Sequence, residues 1–194
     1  MEKTALIALG GNLPWNGQLP RQTIIEAVEA VLQAFGGPIV TSKLYRTPAF
    51  PAGSGPDYVN AATLVTLRHN ARAEEVLVIL HEIESRFGRE RLQRWGMRSL
   101  DLDLLAMGDL VQPDLATWQH WHDLPPAEQI RNTPPGLILP HPRLQDRAFV
   151  LVPLADVAPD WRHPVLGLTV LQMRDALPKV ELDQVVALDS DGMS

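Results

Sequence analysis

Ser99-Leu100-Asp101-Leu102-Asp103-Leu104-Leu105-Ala106-Met107 alternates apolar and acidic residues over its first half and is wholly apolar over its second. A period of two is the signature of a strand with one face in the core. Leu100, Leu102 and Leu104 are expected to enter that core. Asp101 and Asp103 then project together from the opposite face, roughly 6.5–7 Å apart along the backbone. This strand is the last of an ordered series, and the series decides the fold.

Working outward, Glu74–Phe87 carries Val76, Leu77, Leu80, Ile83 and Glu84 at helical spacing, and Gly88 closes it. Tyr58–Leu67 reads as a strand, and so does Val40–Arg46, with a Pro/Gly/Ser-rich loop from Thr47 to Pro56 between them. Before these lie a helix over Gln22–Phe35, stopped by Gly36-Gly37, and a first buried strand, Thr4–Leu9, ended by Gly10-Gly11-Asn12. The order strand, helix, strand, strand, helix, strand is that of an α+β, ferredoxin-like βαββαβ core: an antiparallel sheet with the two helices packed on one face. C-terminal additions follow, with helices expected over Ala148–Val157 and Thr169–Leu177 and an edge strand over Val180–Leu188. Residues 113–136 hold five prolines, Trp118, Trp121, His120 and His122 with little periodicity, and read as a long insertion with room for one short helix. One domain over 1–188 is expected, with 189–194 as a frayed tail.

A chain of 194 residues can bury an ordinary core without staples, and it contains no cysteine, which excludes disulfides and thiolate metal sites. A net charge of −6 argues against a general nucleic-acid coat or a binder of acidic membranes. No apolar run approaches a membrane span or a signal-peptide core. The expectation is a cytoplasmic protein, a monomer, with neither nucleic acid nor membrane as partner.

Against that acidic background Arg86, Arg89, Arg91, Arg94 and Arg98 crowd the stretch just before the two carboxylates. Guanidinium groups bind phosphate oxygens bidentately and remain charged at any working pH. Two carboxylates on one strand face suit hard cations such as magnesium. Carboxylates, metal and arginines together are the kit that stabilises a transferring phosphoryl group. The bland alternative is a polar strand face beside a solvated basic loop. No Gly-x-x-x-x-Gly-Lys occurs, so a P-loop is excluded. Two further groups stand out. Leu139-Pro140-His141-Pro142-Arg143 with Asp146-Arg147-Ala148-Phe149 offers phosphate donors and a flat ring. Thr47-Pro48 with Asp57-Tyr58-Val59-Asn60 offers an amide that suits a heterocycle edge.

Taken together, these segments resemble the 6-hydroxymethyl-7,8-dihydropterin pyrophosphokinases. The resemblance runs through Ile7-Ala8-Leu9-Gly10-Gly11-Asn12, Tyr45-Arg46-Thr47-Pro48, Asp57-Tyr58-Val59-Asn60-Ala61-Ala62, Arg94-Trp95-Gly96 with Arg98, Leu100-Asp101-Leu102-Asp103, Pro140-His141-Pro142 and Arg147-Ala148-Phe149. It implies an enzyme of folate synthesis that moves pyrophosphate from ATP to the pterin hydroxymethyl group, giving AMP. It further implies that Asp101 and Asp103 bind two magnesium ions and that Arg89 and Arg98 stabilise the transferring group. Arg91, His141 and Arg147 would hold ATP, with Glu84 and Leu104 against the nucleoside and Trp95 on a mobile loop that closes over it. Tyr58 and Phe149 would sandwich the pterin, and Thr47, Pro48, Phe50 and Asn60 would meet its polar edge. Gly11, His81, Met97 and Pro142 depart from the usual pattern, and the connection from Gly108 to His141 is long. Two rival readings are another Asp-x-Asp metal-dependent transferase and a pterin- or nucleotide-binding module without catalysis.

Overall fold

β1 (Lys3–Gly11) is the spine of the sheet, pairing antiparallel with β4 (Tyr58–Leu67) on one side and β5 (Asp101–Met107) on the other. Ala5, Ile7 and Leu9 point to one face and Leu6 and Ala8 to the other, so the strand is apolar from Ala5 to Leu9 because both faces are covered. The computed structural model describes residues 3–49, 53, 55–88, 99–125, 128 and 131–189. The expected mobile loop at Arg89–Arg98 and all but residue 189 of the expected frayed tail lie outside these residues.

The first face is covered by α1 (Pro20–Phe35) and α2 (Ala73–Arg86). α1 begins two residues before the expected start, because Pro20 occupies the first turn, where a missing N–H costs nothing. It ends as expected: Gly36 adopts φ +66°, a left-handed cap, and donates its N–H to the Leu32 carbonyl at 2.9 Å. The opposite face is covered by α4 (Ala148–Val157) and α5 (Val170–Asp175), which bury Leu151, Leu154, Val170 and Met173 against Leu6 and Ala62. The core's two helices thus share one face, as the element order predicts, and the C-terminal additions supply a third layer.

Two expected strands are corrected. Val40–Arg46 is not one strand but two, β2 (Ile39–Thr41) and β3 (Tyr45–Thr47), both paired with β4. Between them the Ser42 hydroxyl accepts the Ala62 N–H at 2.9 Å, replacing a ladder carbonyl. Asp156 of α4 holds the intervening segment, accepting from Lys43 N and from the Tyr45 hydroxyl. Val180–Leu188 is a helical turn, α6 (Lys179–Leu182), followed by a two-residue strand, β6 (Val186–Ala187), on the outer side of β3. The sheet order is β5-β1-β4-β3-β6.

β5 carries a bulge. Ile7 faces Leu104 and Leu6 faces Ala106, leaving Leu105 without a partner in β1. Leu104 therefore packs toward α1 and α2, while Leu105 and Ala106 both pack toward α4. In the insertion, α3 (Leu115–Asp123) is a short helix, capped by Asp114, whose carboxylate accepts the Thr117 N–H at 2.8 Å. Among the described residues no helix is long and apolar enough to cross a membrane.

Candidate active site

Cross-strand register assembles the floor of the site. Asp101 lies opposite Gly10, Gly10 opposite Asn60, and Asn60 opposite Tyr45; in the next row Asp103, Ala8 and Ala62 align. Directly paired residues share a face, so the two carboxylates stand on the α4 side of the sheet. Leu100, Leu102 and Leu104 are buried on the α1/α2 side, the division that the alternation predicts.

Gly10 keeps the middle of the first row low. A Cβ there would lie 3.0 Å from Asn60 Oδ1, inside ordinary contact distance. The Asn60 amide is held by a 2.7 Å hydrogen bond from its Nδ2 to the Thr47 hydroxyl, buried between β3 and β4. This leaves the Asn60 carbonyl oxygen over Gly10. Tyr58, directly opposite Thr47, is half-buried on the same face. Pro48 is exposed just beyond β3, and Phe50 lies outside the described residues.

The second wall comes from the segment entering α4. The His141 N–H donates to the Leu105 carbonyl at 2.7 Å, so the bulge in β5 anchors this loop. The His141 ring accepts the Arg143 N–H at Nδ1 (3.1 Å), which assigns the proton to Nε2 in the neutral imidazole. Burial, with Arg147 and Arg143 nearby, pushes its pKa down to about 3. At neutral pH it is a hydrogen-bond donor without charge. Arg147 sits at the N-cap of α4, and burial lowers its pKa from the ordinary arginine range. The carboxylates of Asp103 and Asp101 oppose that shift and keep the guanidinium charged. Arg143 is paired with Asp146 at 2.7 Å.

Phe149, one residue into the turn, is 42% exposed. A phenylalanine opening a helix is ordinarily core; this one stays at the surface with the Arg147 guanidinium 5.7 Å from its ring centre. Glu84 is on the other side of β5: only 1% exposed, it accepts the Leu102 N–H at 2.8 Å at the sheet edge. Leu104, expected against the nucleoside, follows on the same strand. Its side chain is buried in the α1/α2 core, so only its backbone is available there.

The residues brought together are therefore Asp101, Asp103, His141, Arg147 and Phe149, with Asn60, Thr47 and Tyr58 adjoining along the floor. Arg89, Arg91, Trp95 and Arg98 lie outside the described residues. The sequence shows Gly10 as part of a strand-ending turn and Arg143 as a basic residue beside His141; the contact that constrains Gly10 appears only through its cross-strand neighbour. No third carboxylate or imidazole joins Asp101 and Asp103 as a metal-ligating group among the described residues. Two carboxylates nevertheless suit magnesium, which takes one or two protein oxygens and completes its shell with phosphate and water.

Residues 6–159 match the family model described as 7,8-dihydro-6-hydroxymethylpterin-pyrophosphokinase (HPPK). The chain belongs to the HPPK family. It is 39% identical over 171 residues to the 2-amino-4-hydroxy-6-hydroxymethyldihydropteridine pyrophosphokinase of a Synechocystis species, covering 87% of this chain and 73% of that protein. The protein of the same name from Haemophilus influenzae is 34% identical over 162 residues, covering 83% and 85%. A solved HPPK-DHPS chain from Plasmodium falciparum shares the fold at TM-score 0.59 and 17% identity, covering 90% of this chain. This HPPK chain spans 44% of that longer one.

Proposed function

We propose that this chain transfers the terminal pyrophosphoryl group of ATP to the hydroxymethyl oxygen of 6-hydroxymethyl-7,8-dihydropterin, giving the pterin diphosphate and AMP in folate biosynthesis. The observation that carries this reading is the grouping of Asp101 and Asp103 beside the Arg147 guanidinium and the exposed Phe149 ring. A second carboxylate would repel an anionic substrate unless cations intervene, and Arg147 alone does not neutralise both.

In this reading Asp101 and Asp103 hold two magnesium ions, which when bound offset charge on the triphosphate. Arg147 and the N-terminus of α4 present donors to phosphate oxygens. The neutral His141 donates through Nε2–H, adding a hydrogen bond without competing for the cations. Glu84 supports the nucleoside indirectly by fixing the β5 backbone, with Leu104 contributing main-chain groups. The pterin lies over Gly10, its edge on Asn60 and Thr47, with Tyr58 and Phe149 against its faces and Pro48 and Phe50 at the rim. Arg89, Arg91, Arg98 and Trp95 take the family's roles at the transferring group and the nucleotide.

The hydroxymethyl oxygen forms a bond to the β-phosphorus, the bond from that phosphorus to the α–β bridging oxygen breaks, and the hydroxyl proton passes to solvent. No covalent enzyme intermediate is needed; positioning and charge stabilisation carry the barrier reduction. A single domain over 1–188, acting as a cytoplasmic monomer, suffices. A turnover assay with ATP, magnesium and the reduced pterin should give a pterin diphosphate only when all three are present. Transfer to a sugar or nucleotide instead would favour the other Asp-x-Asp transferases; binding without turnover would favour a passive module.

A further inference from the structure

The insertion absorbs none of the roles above, yet it reaches the site. Trp118 of α3 is 1% exposed and donates its indole N–H to the Pro140 carbonyl at 2.7 Å. Pro140 directly precedes His141. The backbone of this segment can be accounted for group by group. Leu139 exchanges both of its main-chain hydrogen bonds with Gln112, at 2.9 and 3.0 Å. The His141 N–H goes to Leu105, and the His141 carbonyl accepts from Leu144 at 3.0 Å. Pro140 has no N–H, and its carbonyl takes the side chain of Trp118.

Trp118 is itself held in place. Its ring stacks on His122 one helical turn away, with centroids 4.8 Å apart, and meets the edge of buried His163 at 5.2 Å. Trp161 closes the other side of His163 at 5.7 Å and donates to the Gly108 carbonyl at 3.1 Å. α3 is thus pinned to the segment before His141 and to the segment after α4, and the buried indole hydrogen bond ends beside His141.

We propose that Trp118 is a positioning residue for His141: its indole N–H, clamped by the aromatic cluster, fixes the Pro140 carbonyl and with it the place from which His141 meets the triphosphate. The inference rests on the phosphate-binding role given to His141 above. Without the indole donor the buried Pro140 carbonyl lacks its partner, and the loop turns to recover one. The consequence is a loss of ATP affinity that requires His141 to be present.

A double-mutant cycle measures this dependence. Affinity for α,β-methylene-ATP with magnesium is read by calorimetry on the wild type, Trp118→Phe, His141→Ala and the double variant. We expect each single change to weaken binding about three- to tenfold, and Trp118→Phe to add less than about twofold once His141 is gone. Site-specific replacement of Trp118 by 3-benzothienylalanine, which keeps the ring volume and removes the N–H, should reproduce the effect if the phenylalanine variant folds poorly. Normal affinity in the benzothienyl protein, or equal losses with and without His141, would overturn the positioning role while leaving His141 at the phosphate. Unchanged affinity in His141→Ala alone would overturn both.

Discussion

Asp101 and Asp103 occupy the face of β5 opposite Leu100, Leu102 and Leu104, and that face is where the charge requirement lies. Asp→Asn at either position keeps the volume and removes the charge that holds a hard cation. Turnover should fall by about a thousandfold or more at ordinary magnesium, with the circular dichroism spectrum and unfolding midpoint little changed; near-normal turnover in either variant contradicts the metal assignment. Gly10 gives a complementary probe at the pterin end. A methyl group there meets Asn60 Oδ1 at 3.0 Å and must displace an amide already tied to Thr47. Gly10→Ala should raise KM for the pterin several-fold more than KM for ATP, in steady-state assays varying each substrate separately. Phe149→Ala should show the same preference, because an exposed ring contributes stacking on the order of 0.5–1.5 kcal/mol beyond burial. A larger loss for ATP than for the pterin would reassign that wall. Asp101 and Asp103 were legible from a period of two; Gly10 was not, because its constraint is a neighbour fifty positions on.

At the scale of elements, what the sequence concealed was made by contacts from distant segments. α1 and α2 follow their apolar periodicity because each buries one stripe on one face of the sheet. The β5 bulge could not be read, since Leu104-Leu105-Ala106-Met107 is apolar whichever face each residue takes. Nor could the break between β2 and β3, which depends on Asp156 reaching across from α4. That contact has its own signature. Burial first, and then the hydrogen bond to Asp156, push the Tyr45 phenol up to about 12. Asp156→Asn removes the carboxylate's share and leaves that of burial. The chain has two tyrosines, so ultraviolet titration should resolve one whose midpoint falls part-way back toward the usual value of 10. A midpoint unmoved by the substitution would show that Asp156 does not hold β3.

Across the whole molecule, the three layers enclose the imidazole of His163. His163 is 0% exposed, its Nδ1 accepts from the N–H groups of Val165 and Leu166, and Trp118, Trp161 and His122 surround it. Burial, with a smaller push from His122, lowers its pKa to about 4. Between that value and the unfolded value of 6.5, the unfolded chain binds a proton that the folded chain refuses. Stability therefore falls as pH drops through this window and is unaffected by His163 above it. His163→Asn retains an oxygen acceptor for the two N–H groups. In urea titrations it should lose about 2 kcal/mol less stability than the wild type between pH 7.5 and 5; identical pH profiles would place the proton uptake elsewhere.

Metals and arginines by themselves would serve attack at any of the three phosphorus atoms of ATP. Phosphorus NMR of the enzyme incubated with ATP, magnesium and 6-hydroxymethyl-7,8-dihydropterin distinguishes them directly. AMP and a pterin diphosphate are expected in equal amounts, with neither formed when the pterin is omitted; ADP with a pterin monophosphate, or an adenylylated pterin with free pyrophosphate, would overturn attack at the β-phosphorus.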